Sequence, residues 1–321
     1  MTLIEHISAG SVASVETDYV ALPAALPAHV QRLVSNSLAD NSKRAYALDI
    51  AHFEATGRGL PATPATIAEY LAEGAATYAV ATLQRRLASI SKAHRAIGAD
   101  DPTKSELVCA TLRGVRRTLG VKQRQAKALL RDDLFAVLDR LGDRTKDVRD
   151  CALLLLGWAC AMRRSELVAL DVNDVEFTSQ GALVTVRRSK TDQEGAGREI
   201  AVPFGRTRHC PIAALKRWLG VAAITAGPIW RGMDKHGNIL PERLSGEAVS
   251  DVVKVRVSDA GYDPSAFSAH SMRSGFATSA AMAGASTYKI RQVTGHRSEA
   301  GLAPYLRAVD LFDDTAAARV L

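Results

Sequence analysis

Polar and apolar positions change their period several times along the chain, and each change marks an element. In NSKRAYALDIAHFEATG, residues 41 to 57, Tyr46, Ile50 and Phe53 recur at helical spacing. Asn41 or Ser42 is the expected N-cap and Gly57 the stop. Thr63-Pro64 opens a second helix, with proline at the first position, where its missing amide hydrogen does no harm. TLQRRLASISKAHRAIG sets Leu83, Leu87, Ile90, His94 and Ile97 on one face and Arg85, Ser89, Lys92 and Arg95 on a second stripe, a core side and a cationic side. Asp101-Pro102 is read as the start of a fourth helix, which carries Arg113, Arg116 and Arg117.

Periodicity then stops. LGVKQRQAKA, residues 119 to 128, is polar and basic with no apolar face and reads as a linker. A second core begins near residue 129. CALLLLGWACAM predicts a buried helix, which RRSELVAL continues or restarts after a bend. DVEFTSQGALVTVRRSK alternates as a β-hairpin with its turn near Gln180-Gly181, and REIAVPF supplies a third strand. Helices return in PIAALKRWLGVAAI, GEAVSDVVKVRVSDAG, AHSMRSGFATSAAMAG and STYKIRQVTG, with Gly261, Gly284 and Gly295 at their ends. DLFDDTAAARVL closes the chain with an Asp N-cap and a short apolar face. The first 26 residues show no clear period and read as a mobile tail. There are no internal repeats. The pattern predicts a mainly α chain: a tail over 1–26, a small helical domain over 27–118, a linker over 119–128, and a mostly helical domain over 129–321 holding one small antiparallel sheet.

Composition narrows the setting. The 321 residues are 47% hydrophobic and 23% charged, as in a globular protein. No run of 18 apolar residues predicts a membrane span, and MTLIEHISAG lacks the basic and apolar regions of a signal peptide. Cys109, Cys151, Cys160 and Cys210 form no CxxC pair; Cys151 and Cys160, inside an apolar run, are expected to be buried thiols in a reducing cytoplasm. The net charge is +7, yet residues 82 to 127 alone hold 11 Lys and Arg against 3 Asp and Glu. A basic surplus on one helical segment, larger than that of the whole chain, is the footprint of a polyanion partner.

The second half carries the candidate chemistry. Arg163 ends a very apolar stretch, with Glu166 three residues on; an arginine there pairs or faces an opening, since an unpaired buried charge is costly. Lys190 follows a strand just before the turn QEGAG. His270 and Arg273 are three apart at a helix N-terminus and can point the same way. His296 follows the helix-ending Gly295, and Tyr305 lies nine residues further. Singly, each has an ordinary reading: an ion pair, an exposed lysine, a cap, a packing aromatic. In order they read R-x-x-E-L, S-K-T, H-x-x-R, G-H and Tyr. On these residues the chain resembles the tyrosine recombinase (phage integrase) family over roughly residues 40 to 310.

The resemblance implies a SAM-like helical DNA-binding domain and a catalytic domain of the DNA breaking-rejoining enzyme fold. It implies double-stranded DNA at an inverted-repeat site as partner, a dimer per site, a tetramer in synapsis, and a C-terminal helix that docks on a neighbouring subunit; packing of that helix on its own domain is the alternative. The residue types suit the chemistry independently. Tyr305 would be the nucleophile, and Arg163 and Arg273 would offer forked donors to the non-bridging phosphate oxygens. His270 and His296 would add donors or take the phenol proton, Lys190 would protonate the leaving 5′ oxygen, and Glu166 would orient an Arg or His. The set holds no cluster of carboxylates for Mg²⁺, so neither metal nor cofactor is expected. Expected DNA contacts are Lys43, Arg44, Arg85, Arg86, Lys92, Arg95, Arg113, Arg116, Arg117, Lys122 and Arg124. Two departures stand out: Arg307 where many relatives carry His, and Pro304, which disfavours helix at Ala303 and should start one at the turn of Tyr305. A relaxing enzyme of the type IB topoisomerase kind, or a DNA-binding protein with a dead site, would fit the same residues.

Overall fold

The computed structural model describes residues 27–120, 125–187 and 197–307. The expected N-terminal tail, the C-terminal piece 310–321, Lys122 and Arg124 of the linker, and Lys190 lie outside the described residues. The chain divides into two units, Met1–Arg124 and Gln125–Leu321.

The first unit is helical throughout its described part: α1 (Ala28–Ser35), α2 (Asp40–Ala55), α3 (Pro64–Gly74), α4 (Val80–Ala96) and α5 (Glu106–Leu119). Its core joins Ile50 and Phe53 of α2, Ile67, Tyr70 and Leu71 of α3, Leu83 and Ile90 of α4, and Val108 and Val115 of α5. Helix α1 has no counterpart in the sequence reading. Helix α2 starts earlier than its polar residues suggested: Ala39 is the N-cap, and Asn41 and Ser42 lie in the first turn. Asp101 caps only a single 3₁₀ turn, Pro102–Lys104; α5 is started by Ser105, whose hydroxyl accepts from the amide of Val108. His94 belongs to the core side of α4. It is fully buried, with Nδ1 donating to the Ile90 carbonyl and Nε2 accepting from the Ala62 amide, 2.8 Å each.

The second unit is built around α7 (Thr145–Ala159), with α6 (Arg131–Leu138) before it and α9 (Pro211–Val221) and α11 (His270–Met282) packed against it. Leucines 153 to 156 on α7 are almost fully buried because helices cover the segment on several sides. The chain breaks after α7 and restarts as α8 (Arg164–Ala169), the bend rather than the continuation. A three-stranded antiparallel sheet follows, β1 (Val175–Phe177), β2 (Gly181–Val186) and β3 (Arg198–Pro203), in the order β1-β2-β3. Its register sets Val184 opposite Ile200 and Val186 opposite Arg198, so Arg198 shares the inward face of β3 with Ile200 and Val202. A second ribbon, β4 (Arg231–Met233) with β5 (Ile239–Arg243), was not expected. Three residues of RGM show no usable alternation, and the ribbon closes locally through Asp234, whose carboxylate accepts from the amides of His236 and Asn238.

Helices α10 (Gly246–Asp259), α12 (Thr287–Thr294) and α13 (Glu299–Arg307) complete the unit. Helix α11 is fixed from below by the extended segment before α6: Leu129 donates its amide to the Ser271 carbonyl at 2.9 Å. A Cβ at Gly275 would lie 1.8 Å from the Leu129 carbonyl oxygen, so only glycine permits this approach. Helix α13 runs through Pro304 instead of starting there. It does so at the cost of one backbone hydrogen bond, which an exposed final turn tolerates better than an interior one. All four cysteines are free. Cys160 is fully buried and its thiol is pushed up to about 12 by burial, against the pull of Arg198; Cys151 is only partly buried. No helix among the described residues is long and apolar enough to cross a membrane.

Candidate active site

The break between α7 and α8 builds the first half of the site. Ala161 takes a left-handed backbone, φ 48°, which a residue with a Cβ adopts at a cost of about 1 kcal/mol. The turn places Arg163 at the N-cap of α8, where Glu166 reaches back to accept from the Arg163 amide at 3.1 Å, half of a capping box. The same carboxylate accepts from Arg163 Nη1 at 2.5 Å and from Arg198 Nη2 at 2.9 Å. Glu166 is 2% exposed. Burial alone would raise its pKa, but the charge and hydrogen bond of Arg198 and the hydrogen bonds from Arg163 outweigh that and hold it below the usual range.

The second half stands on α11. His270 and Arg273, one turn apart, face the same way. Arg273 is 1% exposed and donates from Nη1 to the Ala161 carbonyl at 2.8 Å, which ties it to the strained turn. Its Nη2 lies 3.2 Å from His296 Nε2. Burial, then Arg163, lowers the Arg273 pKa to about 10, with Glu166 working in the opposite sense. His296 follows Gly295, whose φ of 68° ends α12 in the left-handed conformation. A Cβ at Gly295 would sit 2.9 Å from Arg198 Nη1, so the glycine also lets Arg198 pass beneath.

Tyr305 arrives from α13. Its ring packs against a small cluster of Ala277, Ile290 and Leu302, and lies 5.8 Å from the His296 ring. Its hydroxyl is 2.9 Å from His270 Nε2. Packing thus anchors the ring and leaves its oxygen facing His270. Burial raises the Tyr305 pKa, although Arg273 and Arg163 pull it down, so the phenol is protonated near neutral pH. His270 sits on an exposed rim, yet burial of its ring, then Arg273 and Arg163, lower its pKa. A neutral imidazole with Nε2 facing a phenol is an acceptor ready for that proton.

Arg163, Glu166, Arg273, His270, His296 and Tyr305 are thus brought together, while Lys190 lies outside the described residues. Arg198 is the member that sequence reasoning missed. REIAVPF reads only as a third strand, and the signal it offers is a cation at the same period-2 positions as Ile200 and Val202 on the buried face.

The expected cationic surface of the first unit needs correction. Arg86 is 8% exposed, with its guanidinium 3.9 Å over the Tyr78 ring. Ser89 is fully buried and donates to Asp49 at 2.8 Å, and Arg85 pairs with the same carboxylate. The physical reason is Asp49 itself, 3% exposed on α2, which draws Ser89 and Arg86 inward to satisfy it while Arg85 pairs with it from an exposed position. Lys92 lies 5.1 Å over the Tyr46 ring, Arg95 bonds Ser91, Arg113 pairs with Glu106 and Arg44 bonds Asn41. Lys43 is partly buried, and Arg116 and Arg117 are exposed on α5.

Residues 127–310 match the phage integrase family. An integrase/recombinase XerD homologue of Selenomonas ruminantium is 36% identical over 300 residues, covering 90% of this chain and 88% of its own. Recombinase Cre of Escherichia phage P1 is 28% identical over 270 residues, 78% of this chain and 77% of its own. Among solved structures, the XerH site-specific recombinase bound to palindromic difH substrate aligns with a TM-score of 0.63 at 18% identity, covering 91% of this chain and 82% of that one. A lambda integrase dimer bound to a COC′ core site gives 0.61 at 19%, covering 87% and 75%. At these identities the solved structures establish a shared fold. The family follows from the sequence matches, one spanning more than half of the chain and one joining it nearly end to end to a recombinase: the chain belongs to the phage integrase family and is a tyrosine site-specific recombinase, a DNA strand-transferring enzyme.

Proposed function

We infer that this recombinase cuts duplex DNA with Tyr305, holds it as a 3′-phosphotyrosyl intermediate, and exchanges strands between two sites. The observation that carries the reading is the Tyr305 hydroxyl 2.9 Å from His270 Nε2 beside the Arg273 guanidinium. The phenol oxygen attacks phosphorus as its proton passes to His270, and the bond from phosphorus to the 5′ oxygen breaks. Arg163 and Arg273 donate to the non-bridging oxygens, whose charge grows in the transition state. Lys190 gives the leaving 5′ oxygen its proton. Glu166 keeps Arg163 oriented, and Arg198 shares that carboxylate. Because the phenol is a better leaving group than an alkyl alcohol, a 5′ hydroxyl from a second duplex can reverse the step and restore the tyrosine without ATP.

Residues 27–118 serve as the helical DNA-binding domain, 119–128 as linker and 129–321 as catalytic domain with its tail helix. Lys43, Arg44, Arg85, Lys92, Arg95, Arg113, Arg116 and Arg117, with Lys122 and Arg124 of the linker, supply phosphate contacts. Two protomers occupy one inverted-repeat site and four form the synapse, as partners of bacterial or phage DNA in the cytoplasm. Support for a DNA partner comes from two solved relatives whose complexes hold recombination-site DNA.

The test is a nicked substrate that loses its 5′ end on cleavage, incubated in EDTA. A covalent adduct with wild type and none with Tyr305→Phe is expected. Absence of adduct in both would leave a DNA-binding protein with a dead site. A plasmid carrying two target sites then separates the remaining readings: recombinant circles support strand exchange, whereas relaxed parental plasmid alone would indicate a topoisomerase.

A further inference from the structure

The contact between Arg273 and His296 has donor and acceptor fixed by chemistry alone. Arg273 Nη2 lies 3.2 Å from His296 Nε2. A guanidinium carries only donors, so Nε2 is the acceptor and bears no proton. The His296 pKa is lowered to about 4, by burial and then by Arg273 and Arg163. At neutral pH the ring therefore holds one proton, and it sits on Nδ1. That nitrogen is 2.8 Å from the hydroxyl of Thr294. The Thr294 hydroxyl gives its own proton to the Ile290 carbonyl, also 2.8 Å away and one turn back in α12, which leaves an oxygen lone pair for Nδ1–H. Thr294 is fully buried, so water does not stand in for it. Arg273 is held from its other side by the Ala161 carbonyl. Every donor along this chain of bonds has one acceptor, and none is reversible while arginine stands at one end and a carbonyl at the other.

The geometry points to Thr294 as a positioning residue: its hydroxyl selects the Nδ1–H tautomer of His296, so that Nε2 presents a lone pair that braces the Arg273 guanidinium in the DNA-free enzyme. His296 in this state is a brace and not a proton source. The opposite tautomer would aim Nε2–H at an arginine N–H, and Arg273 would lose a partner on the side away from Ala161. The sequence holds no hint of this, since a threonine before Gly-His reads as a helix-end residue.

The proposal rests on the reading of Arg273 as a phosphate clamp, and its test fails separately from that reading. Full-length protein carrying ¹⁵N-labelled histidine is examined by long-range ¹H–¹⁵N NMR at pH 7.5, and the His296 signals, among the eight histidines, are assigned by their loss in His296→Gln. Wild type is expected to show Nδ1 protonated and Nε2 bare. Thr294→Val, equal in shape but without the hydroxyl, is expected to show Nε2–H or a mixture. Its first-order cleavage should fall roughly 5- to 10-fold, the scale of one hydrogen bond, at unchanged DNA affinity. Thr294→Ser should keep both the wild-type tautomer and the wild-type rate. A wild-type ring with Nε2–H or as imidazolium overturns the proposal, and this reading does not depend on the Thr294 variants. So does a Val variant in which tautomer and rate do not change together, or a Ser variant that falls as far as Val. A bare Nε2 in a protein that never forms a covalent adduct would sink the recombination chemistry and leave the brace standing; an active enzyme with Nε2–H would do the reverse.

Discussion

Replacing Glu166 by Gln removes the one negative charge to which Arg163 and Arg198 are both bonded. The carboxylate accepts three hydrogen bonds, from the Arg163 amide, Arg163 Nη1 and Arg198 Nη2. Glutamine keeps the shape and one acceptor, but its NH₂ must face a guanidinium, which has only hydrogens to offer. Two cations are then left near Arg273 with no carboxylate between them. Breaking a buried pair by deleting one partner costs about 3–5 kcal/mol. The side chains of Arg163 and Arg198 keep 19% and 16% exposure, so solvent recovers part of this and the low end, about 3 kcal/mol, applies. For a domain of this size each kcal/mol shifts Tm by about 2–4 °C, which gives a fall of roughly 6–12 °C at pH 7.5, read by calorimetry on the full chain. The sign with pH is also fixed. Glu166 has a depressed pKa in the fold, so the unfolded chain binds the proton first as pH falls. Its stabilisation is complete above the ordinary value of 4.5 and is lost as pH drops through the lower folded value. The gap between wild type and Glu166→Gln should therefore narrow below pH 4.5. Equal melting at pH 7.5, or a gap that persists unchanged into acid, refutes the account of Glu166 as the shared counter-ion.

Three further outcomes are expected. Because the His270 pKa is lowered, the acid limb of the cleavage rate should lie below pH 6.5 and the rate should be flat from 7 to 8; His270→Gln should lose that limb and about 10²–10⁴ in rate, and a wild-type limb at or above 6.5 would contradict the assignment. Pro304→Ala restores the missing amide in α13, worth up to about 3 kcal/mol of helix, and should slow strand exchange by stiffening the Tyr305 segment at unchanged DNA affinity; identical cleavage and exchange rates would count against it. Arg86→Ala should lower the stability of the first unit without altering the salt dependence of DNA binding, whereas Arg117→Ala should flatten that slope by about one unit; a reversed pattern would show the burial argument to be misplaced.

The order R-x-x-E, H-x-x-R, G-H and Tyr was legible because each signal is local: spacing on one helix, or a glycine and the residue after it. The helices of both units were legible for the same reason, through periodicity and caps such as Thr63 and Gly57. What was not legible depends on pairing across the chain. Asp49 on α2 pairs with the exposed Arg85 and draws Ser89 inward, and no period within α4 announces a carboxylate about 40 residues away. Arg198 meets Glu166 only because β3 is registered with Val186 opposite it, and register is a property of two strands. The β4–β5 ribbon is set by a turn rather than by alternation. Pro304 shows the limit of a local rule in the other direction, since α13 begins at Glu299 and its packing on α11 and α12 overrides the preference of a single residue.

The electrostatics of the site have one organising feature. Three arginines, Arg163, Arg198 and Arg273, converge with a single carboxylate, and an arginine does not shed its charge to relieve crowding. The lowered pKa of Arg273 comes from burial first and from that crowding, through Arg163, second. Two histidines sit among these cations, and both are driven to their neutral forms, so they add no further charge. Neutrality gives them distinct work: the His270 lone pair meets a phenol, the His296 lone pair meets a guanidinium. The fold sustains the excess through neutral groups of fixed direction, the Ala161 carbonyl and the His296 nitrogen, which bond Arg273 without cancelling its charge. A site arranged in this way is least strained when an anion with several oxygens lies among the forked donors, and a phosphodiester approaching pentavalent geometry offers more negative charge there than it does at rest. On the chemistry proposed above, the same surplus of cations would favour the transition state over the bound substrate, which is the condition for catalysis rather than for binding alone.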